Sequence, residues 1–588
     1  MKNMNQKAGF WRFLTALVIT GGLFILYGCL TDFIYLTNDD MYLQAIVSGE
    51  ISGSPDAHMI YSSYILGFLL SSLYRLLPGL PWYGLYLTGI FVLCFFLILY
   101  RILERTEGMA NKIASVIIYA LLASMGMFRH IAMLQYTVVA AMAGGTACFY
   151  ALTMKPDCER SVRISEFSLV LLLAGLCFLI RDKVLFMLAP FAAFGWLGKW
   201  IAQPKKTKKI NLFFLTLLLE MGIVVILFGS VDFLAYRLSD QSRDSWKEYL
   251  LYNRSREQIY DYYGFPDYQR NQEFYHSMGI EEAAYEAAAL HYLILPQEAF
   301  NAKNMGILAE CAQQEHQMDK DVWVRIKDAV SGFVRRNLDY TDRPLNLIVY
   351  AAWLCMILFL FALRSRRLLW QMSLTFVARM LVWGFIFFQG RYPDRITQGL
   401  YLTELLILAA LYLQEEKGQK KECYFYITAF CILCIPAVYF GIPKMRAVIG
   451  ENAGKLFFGT SYGQLREYCI QNEKNLYLAD MNSISSFAAP ALQGETKPCK
   501  NLLPLGSWVS GSPLTDATLQ RYGIRDGQDF YRRQNVYFVF RDSPETEPGY
   551  LEAFYEAFPE VLKARCVRVD TLQTDAGIDF GIYRLEVE

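Results

Sequence analysis

The chain reads as a polytopic α-helical membrane protein, with about 11 membrane-spanning helices and a C-terminal exoplasmic α/β domain. Three observations predict this. Of the 588 residues, 54% are hydrophobic and 15% aromatic. Apolar runs of spanning length recur between residues 13 and 439. From Gly441 onward the pattern changes to short alternating runs and amphipathic stretches.

The first apolar run, Phe13–Tyr35, is about 23 residues, enough for a hydrocarbon core about 30 Å thick. Lys2, Lys7 and Arg12 precede it and no small-residue cleavage site follows, so it is expected to stay as an anchor. Further spans are expected at Trp82–Leu103, Ile113–Met127, Ile131–Leu152, Phe167–Ile180, Val184–Trp200 and Asn211–Phe233. After a polar insertion come Leu345–Leu363, Leu368–Phe388, Ile396–Leu413 and Tyr424–Tyr439. The run Tyr61–Leu77 is shorter and carries Ser62, Ser63, Ser71, Ser72 and Arg75. If it lies along the membrane, every basic connector falls on one side. Those connectors hold Arg101/Arg105/Lys112, Lys155/Arg160/Arg163, Lys205/Lys206/Lys208/Lys209, Arg364/Arg366/Arg367 and Lys417/Lys420/Lys421. A multi-pass protein of the cell membrane is expected, N-terminus cytoplasmic and C-terminal domain exoplasmic.

This divides the chain into four parts. Residues 1–233 form an N-terminal transmembrane module with a first exoplasmic loop at 37–80. Residues 234–344 form a large exoplasmic insertion, rich in tyrosine, with a helix expected near Ile280–Leu293. Residues 345–440 return to the membrane. Residues 441–588 form a soluble α/β domain, with strands at Asn475–Asp480 and Asn535–Phe540, a helix at Tyr550–Leu562, and paired strands at Arg565–Leu572 and Ile578–Val587.

A net charge of +1 offers no field for nucleic acid, and no nucleic-acid partner is expected. About half of the 13 cysteines lie in apolar runs and read as packing residues. Five histidines argue against a histidine-ligated metal centre.

The segment Leu36-Thr37-Asn38-Asp39-Asp40 places two adjacent carboxylates where the first helix leaves the bilayer. Either they mark the water boundary or one is a general base at the membrane surface. Two adjacent acids also suit a divalent cation, through hard oxygens; alternatively, Asp40 only orients the loop. The same face collects the turns Phe128-Arg129-His130, Arg181-Asp182-Lys183 and Gly390–Arg395, the last with Arg391 and Arg395. Interfacial snorkelling is one reading of such arginines. An anionic ligand is the other, since the guanidinium fork suits phosphate.

No Walker loop, post-strand GxGxxG or HExxH occurs, and the cytoplasmic loops are short. An exoplasmic enzyme must then draw its activated donor from the membrane, and a polyprenyl-phosphate-linked sugar fits. Transfer to a hydroxyl needs a base for the acceptor and cations for the leaving phosphate.

With those parts in place, the layout resembles the GT-C superfamily, integral-membrane glycosyltransferases that use lipid-phosphate sugars. Asp39-Asp40 looks like the family's acidic motif after the first helix. Ser54-Pro55-Asp56-Ala57-His58 with Tyr61–Leu77 looks like its juxtamembrane part. Leu134-Gln135-Tyr136-Thr137 looks like the start of the fourth helix in bacterial members. The resemblance implies Asp39 or Asp40 as base, with Arg129, His130, Arg181, Lys183, Arg391 and Arg395 binding the donor phosphate and His58 as a further substrate-binding position. The acceptor class does not carry over from the family; the exoplasmic placement leads us to expect a cell-envelope glycan or protein. The first loop departs from the family in lacking the Pro-Pro dipeptide of the protein O-mannosyltransferase and aminoarabinose-transferase branches. Two other readings stay open. One is an O-antigen-type polymerase or ligase. The other is a polytopic transporter or flippase, for which Asp32 and Glu220 would be the main buried acids.

Overall fold

The computed structural model describes residues 2–154, 160–201, 210–239, 243–291, 298–318, 322–415, 431–432, 434–485, 487–494, 497–525, 529–543, 548–557 and 563–587. The membrane half begins with α1 (Lys2–Leu30), α2 (Asn38–Ser48), α3 (Tyr64–Leu76) and α4 (Trp82–Arg105). There follow α5 (Met109–Leu122), a π-turn at Ala123–Met127, α6 (Phe128–Ala132) and α7 (Tyr136–Thr153). Next come α8 (Arg160–Ile180), α9 (Asp182–Ile201) and α10 (Ile210–Ser239). The polar insertion contributes α11 (Arg243–Gln258), α12 (Gln272–Ser277), α13 (Glu282–His291), α14 (Ala302–Met318) and α15 (Val322–Leu338). The chain then returns to apolar helices α16 (Leu345–Leu363), α17 (Arg366–Phe388) and α18 (Asp394–Gln414), and continues into α19 (Ile435–Gln471).

Among the described residues eight helices are long and apolar enough to cross a membrane, against the eleven spans expected. The difference has local causes. The apolar part of α8, Ile164–Ile180, is short, and Asn211–Phe233 falls in α10, whose side chains are described only in part. Much of Tyr424–Tyr439 lies outside the described residues. Tyr61–Leu77 forms α3, 13 residues long, capped by Ser63, whose side chain accepts the Leu66 N–H. One face of α3 is buried by Leu66, Gly67, Leu70 and Tyr74, while Phe68, Leu69 and Leu76 are exposed.

α7 is the hub of the bundle. Every residue of it is buried, and it packs against α4, α8, α9 and α18. Small residues permit that approach: a Cβ on Gly144 would stand 2.8 Å from Leu188, and one on Gly145 3.1 Å from Leu406. Among the described residues Arg101, Lys199, Arg379 and Glu404 are buried within the spans. Arg379 of α17 pairs with Glu404 of α18, whose other oxygen accepts the Trp383 indole N–H at 2.8 Å. Hydropathy windows average such a pair away. Asp32, expected among the buried acids, is exposed, and the Glu220 side chain lies outside the described residues.

The first apolar run is not one helix. α1 stops at Leu30, and Ile34–Tyr35 (β1) pairs in parallel with Met133–Leu134 (β2), Ile34 opposite Met133. This short ladder fastens the first loop beside the start of α7. The sheet domain has order β4-β3-β5-β7-β6 from Leu476–Asp480 (β3), Leu502–Leu505 (β4), Val536–Arg541 (β5), Ala564–Leu572 (β6) and Phe580–Val587 (β7). β4, β3 and β5 are parallel; β7 runs antiparallel to β5 and β6. α19 leads into this domain, and its apolar lead-in carries a CxxC spacing at Cys431 and Cys434; no disulfide joins the eleven described cysteines.

Candidate active site

Thr37 takes the N-cap position of α2 with extended backbone, which puts Asp39 and Asp40 in the first turn. The helix dipole favours negative charge there. Successive helical residues point about 100° apart, so the two carboxylates leave in different directions. Asp40 turns inward and is fully buried. Its Oδ1 accepts the Tyr83 hydroxyl and the Tyr136 backbone N–H, each at 3.0 Å, and its Oδ2 accepts the Thr37 hydroxyl at 3.1 Å. Burial, helped by the Asp39 charge, outweighs these bonds and pushes the carboxyl up to about 7. The sequence suggests that both acids sit at a solvated boundary; Asp40 instead ties the first loop to α4 and α7.

Asp39 is half-buried and meets the sheet domain. The Trp508 indole N–H donates to its Oδ1 at 3.0 Å. Trp508 stands in the Gly506–Gly511 loop after β4, bracketed by two glycines with φ of 84° and 73°, a conformation other residues rarely adopt. Its ring meets those of Tyr61 at 4.9 Å and Tyr42 at 5.7 Å, both edge-on, and its carbonyl accepts the Tyr249 hydroxyl of α11 at 2.6 Å. Three segments far apart in sequence therefore converge on one indole. The domain is fastened around it. The Ala491 N–H donates to Phe33 O at 2.6 Å, the Thr518 hydroxyl to Ile51 O at 2.6 Å, and Arg466 pairs with Glu50 at 3.0 Å. A Cβ at Gly84 would overlap the Ala491 carbonyl.

The basic residues picked out by sequence divide into groups. Arg181 donates to the Tyr61 carbonyl at 3.1 Å and lies over the Tyr61 and Tyr136 rings, at 5.0 and 5.6 Å. Arg395 also acts on the Tyr136 hydroxyl, as do Asp39 and Asp40. Among the described residues neither Arg181 nor Arg395 has a carboxylate partner. Arg256 of α11 joins them, its guanidinium 3.4 Å from the Tyr61 hydroxyl and 3.0 Å from Asn253 Oδ1. Lys183 and Arg391 are placed differently. Lys183 pairs with Glu257 at 3.4 Å, and Arg391 reaches Asp261 at 3.0 Å and Glu257 at 3.8 Å while stacking on Tyr262. Arg129 lies 3.7 Å from Asp394, and His130 is buried beside it. His58 bonds Asp56 at 2.7 Å and stacks on Trp246 at 4.0 Å, which fixes the first loop against α11. Burial would raise the Asp56 carboxyl, but His58 overrides it and holds it below its usual range.

The acid pair does not fit a divalent cation. Hydrogen donors already approach both oxygens of Asp40, and Asp39 alone offers one carboxylate. Among the described residues no group of three or more His, Cys, Asp or Glu is arranged to hold a metal.

Trp508 and Arg256 escaped the sequence reading. The signal for Trp508 is a single large aromatic in the segment Gly506-Ser507-Trp508-Val509-Ser510-Gly511, where a solvated turn needs none.

No family model matches the chain, and no curated protein matches it. Among solved structures it is similar to the crystal structure of ArnT from Cupriavidus metallidurans bound to undecaprenyl phosphate. That likeness covers 97% of each chain, at 10% identity and a TM-score of 0.38.

Proposed function

We propose that this chain is a membrane glycosyltransferase that moves a sugar from a polyprenyl-phosphate carrier to a cell-envelope glycan or protein on the exoplasmic face. One observation carries the reading. Asp39 is half-buried, its charge and those of Arg181 and Arg395 all act on the Tyr136 hydroxyl, and among the described residues neither arginine has a carboxylate partner. Guanidinium groups with no carboxylate partner among the described residues, together with a carboxylate that can act as base, suit an anionic leaving group and a hydroxyl acceptor.

In the proposed step the acceptor oxygen forms a bond to the anomeric carbon and its proton passes to Asp39. The bond from that carbon to the phosphate oxygen breaks, and the lipid phosphate leaves with one more negative charge. Arg181 and Arg395, with Arg256 behind Tyr61, stabilise that charge where it develops. Asp40 fixes the loop, and Trp508 aims the Asp39 carboxylate. An apolar cavity of about 260 Å³ between α4, α5, α7, α16 and α18, lined by Phe95, Ile98, Tyr119, Met356 and Leu406, offers room for part of a prenyl chain.

Incubating purified protein with defined polyprenyl-phosphate sugars tests the reading. Release of free polyprenyl phosphate, dependent on an acceptor, is expected. Movement of intact sugar-lipid between leaflets without cleavage would replace it with a transport function. For orientation, cysteines engineered near Lys206 and Lys420 are expected to resist labelling in intact cells, and one near Asp39 to react. Labelling near Lys206 from outside would reverse the assignment.

A further inference from the structure

The residues around Arg129 carry charge and hydrogen-bonding capacity that the proposed reaction does not use. A small cavity of about 20 Å³ lies between α6, the turn before α16, the first turn of α18 and α19. Arg129, Arg343 and Lys444 line it, with His130, Thr341 and Gln398. Four cations meet here, the fourth being Arg336. Three carboxylates lean on Arg336, Asp342 at 2.8 Å, Asp394 at 2.6 Å and Asp339 at 3.7 Å, and a fourth, Glu451, acts on Lys444 from a distance but pairs with Lys455 at 3.0 Å. Arg129 has only a long contact to the already shared Asp394. Arg343 lies over the Phe440 ring at 4.7 Å, and the Lys444 ammonium is 5.5 Å from the Tyr340 ring. Among the described residues neither Arg343 nor Lys444 has a carboxylate partner. Burial, together with the Arg129 charge, holds the Lys444 ammonium below its usual value.

The base of the cavity is unsatisfied as well. His130 Nδ1, Thr341 Oγ1 and Gln398 Oε1 are buried and have no hydrogen-bond partner among the described residues. His130 is 3% and Gln398 5% exposed. Buried polar atoms left unpaired cost about 1–3 kcal/mol each, so three around one cavity indicate an absent partner. The imidazole, in its Nδ1–H tautomer, and the Thr341 hydroxyl can each donate, while the Gln398 amide N–H already donates to the Thr341 carbonyl at 3.3 Å. The volume admits one water or one oxygen of a larger anion. Arg129, Arg343 and Lys444 are half-buried, which places them toward the open side.

We infer that this cluster is a second anion site, separate from Asp39, which takes a phosphate-type oxyanion with one oxygen in the cavity and the rest held by Arg129, Arg343 and Lys444. The same chemistry belongs to a phospholipid headgroup and to free phosphate. Ile435, Tyr439 and Ile442 expose apolar surface on the turns of α19 preceding Lys444, which favours the lipid. The inference does not rest on glycosyl transfer. Consecutive residues of α18 belong to the two clusters: Asp394 pairs with Arg129 and Arg336, while the Arg395 charge acts on the Tyr136 hydroxyl.

The test uses the full chain in detergent, with native mass spectrometry against phosphatidylglycerol and phosphatidylcholine, and a thermal-shift titration with inorganic phosphate against chloride at equal ionic strength. Wild type is expected to retain one phosphatidylglycerol in preference to phosphatidylcholine. Arg343→Gln/Lys444→Gln should lower that retention about tenfold to a hundredfold, Lys444→Arg should preserve it, and Asp39→Asn should leave it unchanged. Stabilisation of wild type, but not of the double variant, by phosphate would support the site and add the free ion as a ligand. Equal behaviour of wild type and double variant toward all three probes would overturn the inference and leave a water in the cavity. Loss of phosphatidylglycerol in Asp39→Asn would also overturn it, by merging the two clusters.

Discussion

Two groups of cations surround the first loop, and they differ in what neutralises them. Lys183 and Arg391 spend their charge on Glu257 and Asp261, and so fasten the end of α11 and the turn after it to the bundle. Arg181 instead has the Tyr61 and Tyr136 rings and the Tyr61 carbonyl as neighbours, and among the described residues neither it nor Arg395 has a carboxylate partner. The lesson is that a turn rich in arginine is not one functional unit. Arg391 and Arg395 are four residues apart, yet one is paired with Asp261 and Glu257 and the other has no carboxylate partner among the described residues.

The most severe way to break this contrast is to remove the unpaired group. Arg181→Ala/Arg395→Ala should weaken binding of a polyprenyl-phosphate donor by about 10²–10⁴-fold, taking about 1.5–3 kcal/mol for each charged hydrogen bond. Lysine at either position should restore part of it, because a point charge cannot fork onto two oxygens. Donor affinity measured by equilibrium binding checks this, and an unchanged value would move the phosphate elsewhere.

A smaller effect is expected at Trp508. Trp508→Phe keeps the ring between Tyr42 and Tyr61 but removes the N–H that aims Asp39. A fall of about tenfold in kcat with donor KM unchanged is expected. Trp508→Ala should lose more, since the ring contacts go too. A change confined to donor KM would show that the indole touches substrate and does not orient the base.

At Arg391 the expected effect on the donor is close to nothing. Arg391→Ala breaks a partly exposed ion pair worth about 0–1 kcal/mol, and donor affinity should stay within about threefold. The signature should appear in the insertion, as faster hydrogen exchange over residues 243–263. A loss of donor affinity as large as that of Arg395→Ala would erase the contrast between the two groups.

Asp40 gives the smallest and most local readout. Folded, it keeps its proton up to about pH 7; unfolded, it releases it near pH 4. The folded state therefore holds the extra proton between those values, and stability from this group is lost as pH rises through about 7. Tm should fall from pH 5 to pH 8, and Asp40→Asn should flatten that slope. An unchanged slope would show that Asp40 is ionised throughout.

How much of this was legible in the sequence depends on the range of the interactions. Hydropathy located the helices from Trp82 to Ile201 and from Leu345 to Gln414, because burial in lipid or in the bundle acts on every residue of a run. It merged α1 with β1, since Phe33, Ile34 and Tyr35 are as apolar as the helix before them. Alternation located β3, β5, β6 and β7. β4 was missed because Leu502-Leu503-Pro504-Leu505 is short and contains a proline, which an edge strand tolerates. The acid pair stood out as charge at a membrane boundary, but its division into an inward and an outward carboxylate required the α2 register. Trp508 was beyond reach, 469 positions from Asp39. The same holds for the pairing of Arg391 with Asp261, which decides what that arginine does.

The central claim is that Asp39 accepts the acceptor's proton. A single-turnover assay with radiolabelled polyprenyl-phosphate sugar bound to Asp39→Asn, with donor occupancy read on the same sample, tests it most directly. Full occupancy with lipid-phosphate release slowed about 10²–10⁴-fold is the predicted result. Release at the wild-type rate from fully occupied Asp39→Asn would contradict it.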